Sequence, residues 1–435
     1  MSDISIKNYY NAFIEVCIDN FVLVVDPWIT QSIYGNSWVM PPEVHSHIET
    51  YFDRKKIDCC IITHIHEDHF DVTALSTFPD NCSFHVPDVY PNKQVAERKL
   101  KDKQVSFESF DEFGVNENVS VQFIPPMNYD GYLSGKRQKD QSSNIAIDTG
   151  ALLRVFDKKI LLLSDNMPFD FDSVCDSFDV HGCDLIAFPF NAFADDFPVC
   201  FDNVSLSKKK EYARQRSESR LRSVLKFFDK CNPIRIMPYS SDFFVRGSRA
   251  IEFDKVLPDE YKSRKAVCDI IRDKTDYNCT PLSYNQELVY LSGGGLAILG
   301  GHKEFDFSKI CKDNYFDSIC SPEPQIELFE LIASSSANMR DKLNDVGMET
   351  DWNICLNVID QSVEYMINPI TGCVHRDTQI QGPYIKCNIM SDHLEDILSF
   401  KKHWDNERIA YNLSWERHPD VHEPNVWKAL NFFHK

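Results

Sequence analysis

Residues 63–72, Thr-His-Ile-His-Glu-Asp-His-Phe-Asp-Val, follow directly on a largely apolar, β-branched run at 57–62 that reads as a buried strand. His64, His66, Asp68 and His69 therefore emerge together where a strand ends and a turn begins. His64 and His66 are two residues apart, so an extended segment projects them to one side. Asp68 and His69 follow in the turn and can face the same point from another direction. A core has no use for three imidazoles and a carboxylate at one strand end, and a lone surface histidine would not recur at this spacing. Imidazole nitrogen and carboxylate oxygen are ligands that suit zinc, iron or manganese at catalytic centres.

The 435 residues exceed what one ordinary core needs and predict two domains, divided near residue 315 around Cys311-Lys312-Asp313-Asn314. A hydrophobic share of 43% and a mean hydropathy of −0.34 describe a globular protein, and no uninterrupted apolar stretch is long enough for a membrane span. The first residues, Met1 to Ser5, lack the basic and apolar regions of an export signal. The fifteen cysteines are scattered, without a Cys-x-x-Cys pair, which predicts free thiols and a cytoplasmic location. A formal charge of −20 argues against a nucleic-acid surface spread over the protein. The local basic run Lys208-Lys209-Lys210, continued by Arg214, Arg216, Arg220 and Arg222, reads as a solvated helix face.

Along the chain, residues 12–25 read as two strands joined at Asp19-Asn20, the second closing at Asp26-Pro27-Trp28. Short helices are expected at 70–78 and 94–103, with strands at 82–86, 105–107 and 119–124. The polar stretch 128–143 reads as a loop in which Lys136, Arg137 and Lys139 could contact an anion. A hairpin is predicted between 144–148 and 151–156 around Thr149-Gly150. Strands at 159–163, 185–188 and 234–237, a long helix at 205–231 and a helix at 260–272 complete the first domain. Beyond residue 315 a helix at 327–346, strands at 354–359, 362–367 and 385–390 and a helix from Ser391 form a smaller α+β unit for binding or scaffolding. Cys373-Val374-His375 reads there as a turn. Gly293-Gly294-Gly295 lacks the following helix and Lys-Ser/Thr of a phosphate loop.

The spacing His64-x-His66-x-Asp68-His69 resembles the signature of the metallo-β-lactamase superfamily. That resemblance implies an α/β fold, an αββα sandwich with the metal site at one edge between two sheets, here over residues 1–315, with 316–435 as the accessory α+β domain. It implies that Asp26 steadies the metal loop from outside the ligand set and that Asp165, after the strand at 159–163, bridges two metals. On it, His64 and His66 would hold one ion and Asp68 and His69 the second, with Asp68 able to orient a nucleophile or accept its proton if one ion binds. The chain departs from the pattern where a histidine is expected between the first motif and Asp165, since none occurs between His85 and His181. Asn128, Asp130, Asp140, Gln141 and Asn144 are the substitutes considered. A terminal histidine is also missing after residue 237, leaving Asp242 or the distant His302.

Within the superfamily the chain resembles the non-Rieske portion of cytidine monophosphate N-acetylneuraminate hydroxylase and related bacterial proteins. The matching pieces are Asp26-Pro27-Trp28, Asn36-Ser37-Trp38, the His64 segment, Asp184-Leu185-Ile186 with Pro189-Phe190-Asn191, Pro238-Tyr239 with Asp242-Phe243-Phe244, and Arg417-His418-Pro419-Asp420-Val421. No Cys-x-His followed closely by Cys-x-x-His is present to hold a Rieske cluster. The expected cofactor is one or two divalent metal ions, zinc first, with iron or manganese as alternatives. The expected activity is hydrolysis of an ester, lactone, amide or phosphodiester in a small anionic substrate such as a nucleotide-sugar, sugar phosphate or phospholipid-like molecule. An iron-dependent oxygenase served by a separate reductase, and a binding protein with a degraded site, are the alternatives; a homo-oligomer is compatible with each.

Overall fold

The computed structural model describes residues 4–52, 56–89, 92–126, 147–166, 171–190, 199–240, 242–246, 253, 255–291, 295–303, 328–377 and 381–435. The expected loop at 128–143, the domain division near 315 and Gly293-Gly294 lie outside these residues.

The first strands are β1 (Ile4–Tyr10), β2 (Phe13–Ile18), β3 (Phe21–Val25), β4 (Cys59–Ile61), β5 (Ser83–Pro87) and β6 (Val105–Glu108). They are followed by β7 (Phe113–Asn116), β8 (Val119–Ile124), β9 (Gly150–Val155), β10 (Lys158–Leu162), β11 (Leu185–Pro189), β12 (Ile236–Tyr239), β13 (Glu287–Tyr290) and β14 (Leu296–Leu299). One sheet has the order β14-β13-β1-β2-β3-β4-β5-β6, and the other β12-β11-β10-β9-β8-β7. In each, antiparallel strands give way to parallel ones, from β3 to β6 in the first and from β10 to β12 in the second.

Alternation along the strands decides how these layers stack. Leu23, Val25, Cys59 and Ile61 face a core shared with Val121, Leu153 and Ile160 of the other sheet. Val22, Val24, Cys60 and Phe84, one residue out of phase, face the opposite side, where the helices at Pro42–Phe52 (α1) and Asn92–Lys99 (α3) contribute Val44, Ile48 and Ala96. Between them in the chain lies the one-turn helix α2 (Val72–Leu75). After α4 (Phe171–Ser177), the outer face of the second sheet is covered by α5 (Leu206–Cys231) and α6 (Arg264–Lys274) through Leu221, Val224, Phe228, Val267 and Ile271. Helix, sheet, sheet and helix thus form the expected αββα sandwich. Long helix α5 keeps its predicted bounds because Ser205 accepts a hydrogen bond from the Lys208 amide and Asn232 closes the far end in the left-handed region, φ +47°.

Three local expectations are corrected. Residues 144–146 of the expected hairpin lie outside the described residues; β9 pairs with β8 and β10 on its two sides, and the turn lies after Val155, with Phe156 at φ +52°. Gly150 lies in a strand and not in a turn, and glycine suits the place because a Cβ there would stand 2.9 Å from the Leu162 carbonyl oxygen. The helix expected at 260–272 is split into a 3₁₀ turn at Asp259–Tyr261 and α6, since Ser263 caps a new helix by accepting from the Ala266 amide at 3.1 Å. Cys373-Val374-His375 is not an isolated turn: Val374–Arg376 is an edge strand.

That edge strand belongs to the carboxy-terminal unit. Its sheet contains β15 (Asn353–Val358), β16 (Val363–Ile367), β17 (Val374–Arg376), β18 (Tyr384–Ile389) and β19 (Ser414–His418), in the order β17-β16-β15-β18-β19. Helices α7 (Leu328–Asp345), α8 (Ser391–Leu398), α9 (Trp404–Ile409) and α10 (Pro424–Asn431) complete it. Its apolar core is continuous with that of α1 and α3, running from Tyr9 to Phe433. Residues 200–202 extend its sheet: the Trp415 amide donates to the Cys200 carbonyl and the Asp202 amide to the Trp415 carbonyl, both at 2.8 Å. Trp38 stacks on Phe243 at 3.6 Å and donates its indole N–H to the Ile409 carbonyl at the end of α9, 2.9 Å away.

The rear of α9 is fixed by a buried ion cluster. Glu407 lies 2.7 Å from His393 Nδ1 and 2.9 Å from Lys402 Nζ, and accepts from Asn412 Nδ2 at 2.8 Å. Burial opposes ionisation of Glu407, but His393 and Lys402 outweigh it and hold the carboxyl at about 2, below its usual 4.5. Burial likewise opposes protonation of His393, and Glu407 outweighs it, raising the imidazole above 6.5. The depressed carboxyl contributes stability that is present above pH 4.5 and is lost as pH falls toward 2. The raised imidazole contributes stability that is present below pH 6.5 and is lost as pH rises through its folded value. The cluster therefore stabilises the carboxy-terminal unit most between pH 4.5 and 6.5. Urea midpoints followed by tryptophan fluorescence should fall on both sides of that window, and Glu407→Gln should flatten both limbs. An unchanged profile in the variant would remove the cluster from the account.

Candidate metal centre

Three strand ends converge at one edge of the sandwich. β3 ends at Asp26, β4 runs on through Ile62 into Thr63 and the histidine turn, and β10 runs on through Leu163 into Ser164 and Asp165. The turn is tight, with the His69 and Phe70 amides both donating to the His66 carbonyl at 3.0 and 2.8 Å. Asp71 then caps α2 through the Ala74 amide, while its other oxygen accepts from the Ile29 amide, the Thr30 amide and the Thr30 hydroxyl at 3.1, 2.7 and 2.7 Å. The loop after Asp26 and the loop after His69 are thereby tied to one carboxylate.

Asp26 stands outside the ligand cluster, in the place expected of it. Its Oδ1 accepts from the Thr63 amide at 2.7 Å; its Oδ2 accepts from the Thr63 hydroxyl at 2.6 Å and the Ser164 hydroxyl at 3.0 Å, and lies 2.8 Å from His69 Nδ1. A proton on Nδ1 of His69 leaves the Nε2 lone pair directed into the site. Asp26, Ser164 and Ser240, which follows β12, all have positive φ, at +48°, +54° and +58°. Non-glycine residues rarely adopt that region, and strained backbone of this kind gathers where side chains must be aimed.

The ligand-capable atoms fall into two overlapping groups, His64 with His69 and Asp165, and His64 with His66 and Asp148; the atoms of each lie within 4.8 Å of one another. His64 Nε2 is 3.0 Å from His66 Nδ1, 3.6 Å from Asp148 Oδ1 and 3.9 Å from Asp165 Oδ2. His66 Nδ1 is 3.7 Å from Asp148 Oδ1, and His69 Nε2 is 3.4 Å from Asp165 Oδ2. Donors bound about 2.1 Å from one ion stand roughly 3.0–3.5 Å apart, so the separations suit shared ions with little adjustment. Two buried atoms of the cluster, His69 Nε2 in the first group and Asp148 Oδ1 in the second, have no hydrogen-bond partner among the described residues. Unpaired buried polar atoms are costly, and a cation in each group would satisfy one of them. The donor set therefore fits a metal.

Burial opposes protonation of His69, but Asp68, Asp165 and Asp26 outweigh it and raise the imidazole well above its usual range, so a cation held there would displace a proton. Burial, with His69 and His66 adding to it, holds His64 well below the usual imidazole range, leaving it neutral as a ligand must be. Burial opposes ionisation of Asp165, but His69, His64 and the Ser240 hydroxyl, 2.6 Å from Oδ1, outweigh it and keep the carboxyl below its usual range. Asp68 is held low by His69 against burial, and burial pushes Asp148 up. Asp68 Oδ2 is 3.2 Å from His69 Nε2 and accepts from Asn11 Nδ2 at 2.8 Å, while Oδ1 accepts from the Tyr34 hydroxyl at 2.8 Å.

All five motif-derived residues, His64, His66, Asp68, His69 and Asp165, are thus brought together, although His64 is common to both groups and does not belong to one alone. Asp148 fills the gap before Asp165 and was hidden by the hairpin reading; as the residue that leads into β9 it had the strand-end placement of the others. Of the substitutes considered, Asn128, Asp130, Asp140, Gln141 and Asn144 lie outside the described residues. Asp242 is not at the site. It pairs with the buried Arg264, accepting from Nε at 2.6 Å and from the adjacent nitrogen. His302 instead lies 3.3 Å from Gln286 Oε1 near the β13–β14 edge. Of the basic run, Lys208 pairs with Asp420, Lys209 donates to the Val199 carbonyl at 3.0 Å, and Arg214 pairs with Glu218.

Asp26→Ala would strip partners from Thr63, Ser164 and His69 together. A loss of about 3 kcal/mol in unfolding free energy is expected by chemical denaturation, since several buried donors would be left unsatisfied. A loss below ~1 kcal/mol, the worth of one ordinary hydrogen bond, would show that the strand ends do not depend on this carboxylate.

No protein-family model matches the chain, and no curated protein matches it. Solved structures do. A metallo hydrolase, Igni18, from the archaeon Ignicoccus hospitalis matches at 11% identity and a TM-score of 0.39, over 69% of this chain and 100% of its own. CmlA, a diiron β-hydroxylase from Streptomyces venezuelae, matches at 15% and 0.41, over 66% of this chain and 53% of its own, so the chain spans about half of that enzyme. An isothiocyanate hydrolase from Delia radicum gut bacteria matches at 12% and 0.39, over 64% and 96%. Among the described residues no helix is long and apolar enough to cross a membrane. With two stacked mixed sheets and the His-x-His-x-Asp-His turn at the end of a central strand, the chain resembles the metallo-β-lactamase superfamily in fold.

Proposed function

We propose that the protein is a metal-dependent hydrolase with a carboxylate-rich dinuclear centre, acting on an ester, lactone, amide or phosphodiester of a small anionic molecule. The observation that carries this reading is the pair of ligand groups sharing His64. His64, His66 and Asp148 would hold one ion, and His64 or His69 with Asp165 and Asp68 the other. Such ions, when bound, lower the pKa of water and polarise the bond under attack.

The chain's own residues set the geometry in which that chemistry runs. Asp26 keeps the His69 proton on Nδ1, 2.8 Å away, so that Nε2 stays a ligand. Tyr34 and Asn11 each take one oxygen of Asp68 and aim the carboxylate. Ser240 holds one oxygen of Asp165 and leaves Oδ2 toward His64 and His69. Asp68 is the group placed to orient the nucleophile or take its proton, and it remains ionised to do so. The anionic substrate, as a nucleotide-sugar, sugar phosphate or phospholipid-like molecule, rests on the family resemblance of the sequence.

A second reading follows from Asp148 itself. Two histidines and a carboxylate, as in the His64–His66–Asp148 group, also suit iron and dioxygen chemistry with an external reductase. Elemental analysis of protein purified without chelator separates the two. Zinc or manganese near two per chain, falling to one in His66→Ala/Asp148→Ala, is expected for hydrolysis, and iron lost in the same way would favour oxygenation. No metal in the parent protein after reconstitution would overturn both and leave a binding role.

A further inference from the structure

Helix α9, far along the chain from the histidine turn, is docked on it, and one side chain makes the junction. Asn406 Nδ2 donates at 3.1 Å to Oε1 of Glu67, the residue between His66 and Asp68. The other oxygen of Glu67, Oε2, accepts from the Tyr34 amide at 2.5 Å. The pairing is reciprocal, because the Glu67 amide donates to the Tyr34 hydroxyl at 3.2 Å. That hydroxyl donates in turn to Asp68 Oδ1 at 2.8 Å. An unbroken set of contacts therefore runs from the carboxy-terminal unit through Glu67 and Tyr34 to the carboxylate beside His69.

The segment that carries Tyr34 is held from the same side. Tyr34, Gly35 and Asn36 have φ of +50°, +63° and +71°, a conformation that non-glycine residues keep only where surrounding contacts impose it. Trp38 packs edge-on against Tyr34 at 5.0 Å and donates its indole N–H to the Ile409 carbonyl at the end of α9, 2.9 Å away. The Ser37 hydroxyl lies 3.2 Å from Asn412 Oδ1, just beyond that helix. Tyr34 is buried, which keeps water from replacing it at Asp68.

We propose that Asn406 is a positioning residue of the metal centre, supplied by the carboxy-terminal unit, which aims the Asp68 carboxylate through Glu67 and Tyr34. This inference rests on the dinuclear reading above. With Asn406 in place, both Glu67 oxygens are engaged and the Tyr34 amide is fixed. The Tyr34 hydroxyl then holds Asp68 Oδ1, while Oδ2, 3.2 Å from His69 Nε2, stays toward the ligand set. Without the Asn406 amide, Oε1 of Glu67 loses this donor, and the Glu67 side chain is free to turn away from the Tyr34 backbone it restrains. Asn406 acts on Asp68 only through these two residues.

The test is cobalt(II) titrated into the full chain after dialysis against a chelator, read by its visible d–d absorption, which reports coordination geometry. The parent protein should bind two ions. Asn406→Ala should weaken one of them about tenfold, the lower end of what outer partners of metal ligands contribute, and shift its band. Asn406→Gln, which keeps an amide donor, should recover part of both effects. Tyr34→Phe, which removes only the hydroxyl, should reproduce the loss. Tyr34→Phe/Asn406→Ala should then lose no more than Tyr34→Phe, since the path is already cut. Losses that add in the double variant, or a band that stays in place while the melting temperature falls, would reduce Asn406 to a structural contact and overturn the inference. Asn353→Ala, the same change at an amide elsewhere in the unit that donates to the Gln381 carbonyl, should leave cobalt binding unaltered. If Asn406→Ala fails to fold, Tyr34→Phe carries the test: a tenfold loss supports the path, and parental binding overturns it. Two parental steps in a folded Asn406→Ala would overturn this inference and leave the dinuclear centre standing, whereas no cobalt bound by the parent protein would overturn both.

Discussion

The Asp26 carboxylate is the interaction on which the rest of the site depends. It lies 1% exposed at the end of β3 and takes the Thr63 amide and hydroxyl from the end of β4, the Ser164 hydroxyl from the end of β10 and the His69 ring from the turn. β3 and β4 are neighbours in one sheet and β10 belongs to the other, so this one group joins the two layers where they would otherwise open. A buried carboxylate has no intrinsic preference for such a place, because its desolvation is unfavourable unless each lone pair finds a donor. Here donors from three strand ends meet that demand. The same bonds set the tautomer of His69, so the closure of the sandwich and the readiness of the ligand set are one arrangement.

Much of this was legible in the residues, and the places where it was not have physical reasons. The strands at 119–124 and 159–163 and the long helix from Ser205 followed from alternation and caps, which are local signals, and the αββα class from the resemblance carried by the His64 motif. Asp26 and Asp165 could be named because each ends an apolar run. Asp148 could not, because Thr149-Gly150 reads as a turn, and the reason glycine is required there, the Leu162 carbonyl close to its α-carbon, lies in a strand not adjacent in the reading. Asn11 and Tyr34 carry no sequence signal for their role. Their importance comes from where β1 meets β2 and where the 29–34 segment folds back, which are long-range facts. Asp242 was a fair candidate by position, but the buried Arg264 from α6 claims it.

Replacing an imidazole by a carboxylate also changes what the centre can be. With Asp68, Asp148 and Asp165 around three histidines, a metal held at this cluster would meet more negative charge than in an imidazole-dominated set and would be bound more by charge than by covalency. Harder ions gain from that exchange. The unpartnered Asp148 oxygen shows that the carboxylate has no alternative donor among the described residues to occupy it.

The carboxy-terminal unit has to be considered in the same terms. Its core is continuous with the helical layer of the first unit, its sheet is lengthened by residues 200–202, and its helix α9 ends on the Trp38 indole. A segment attached only for binding elsewhere would not share an apolar core with the layer behind the metal loop, nor place Asn406 on Glu67 in the middle of the ligand motif. Because Glu67 is bracketed by His66 and Asp68, any shift of α9 is felt at both ligands through one side chain. The Glu407 cluster on the rear of α9 and the histidine turn are thus joined by direct contacts through Asn406 and Glu67.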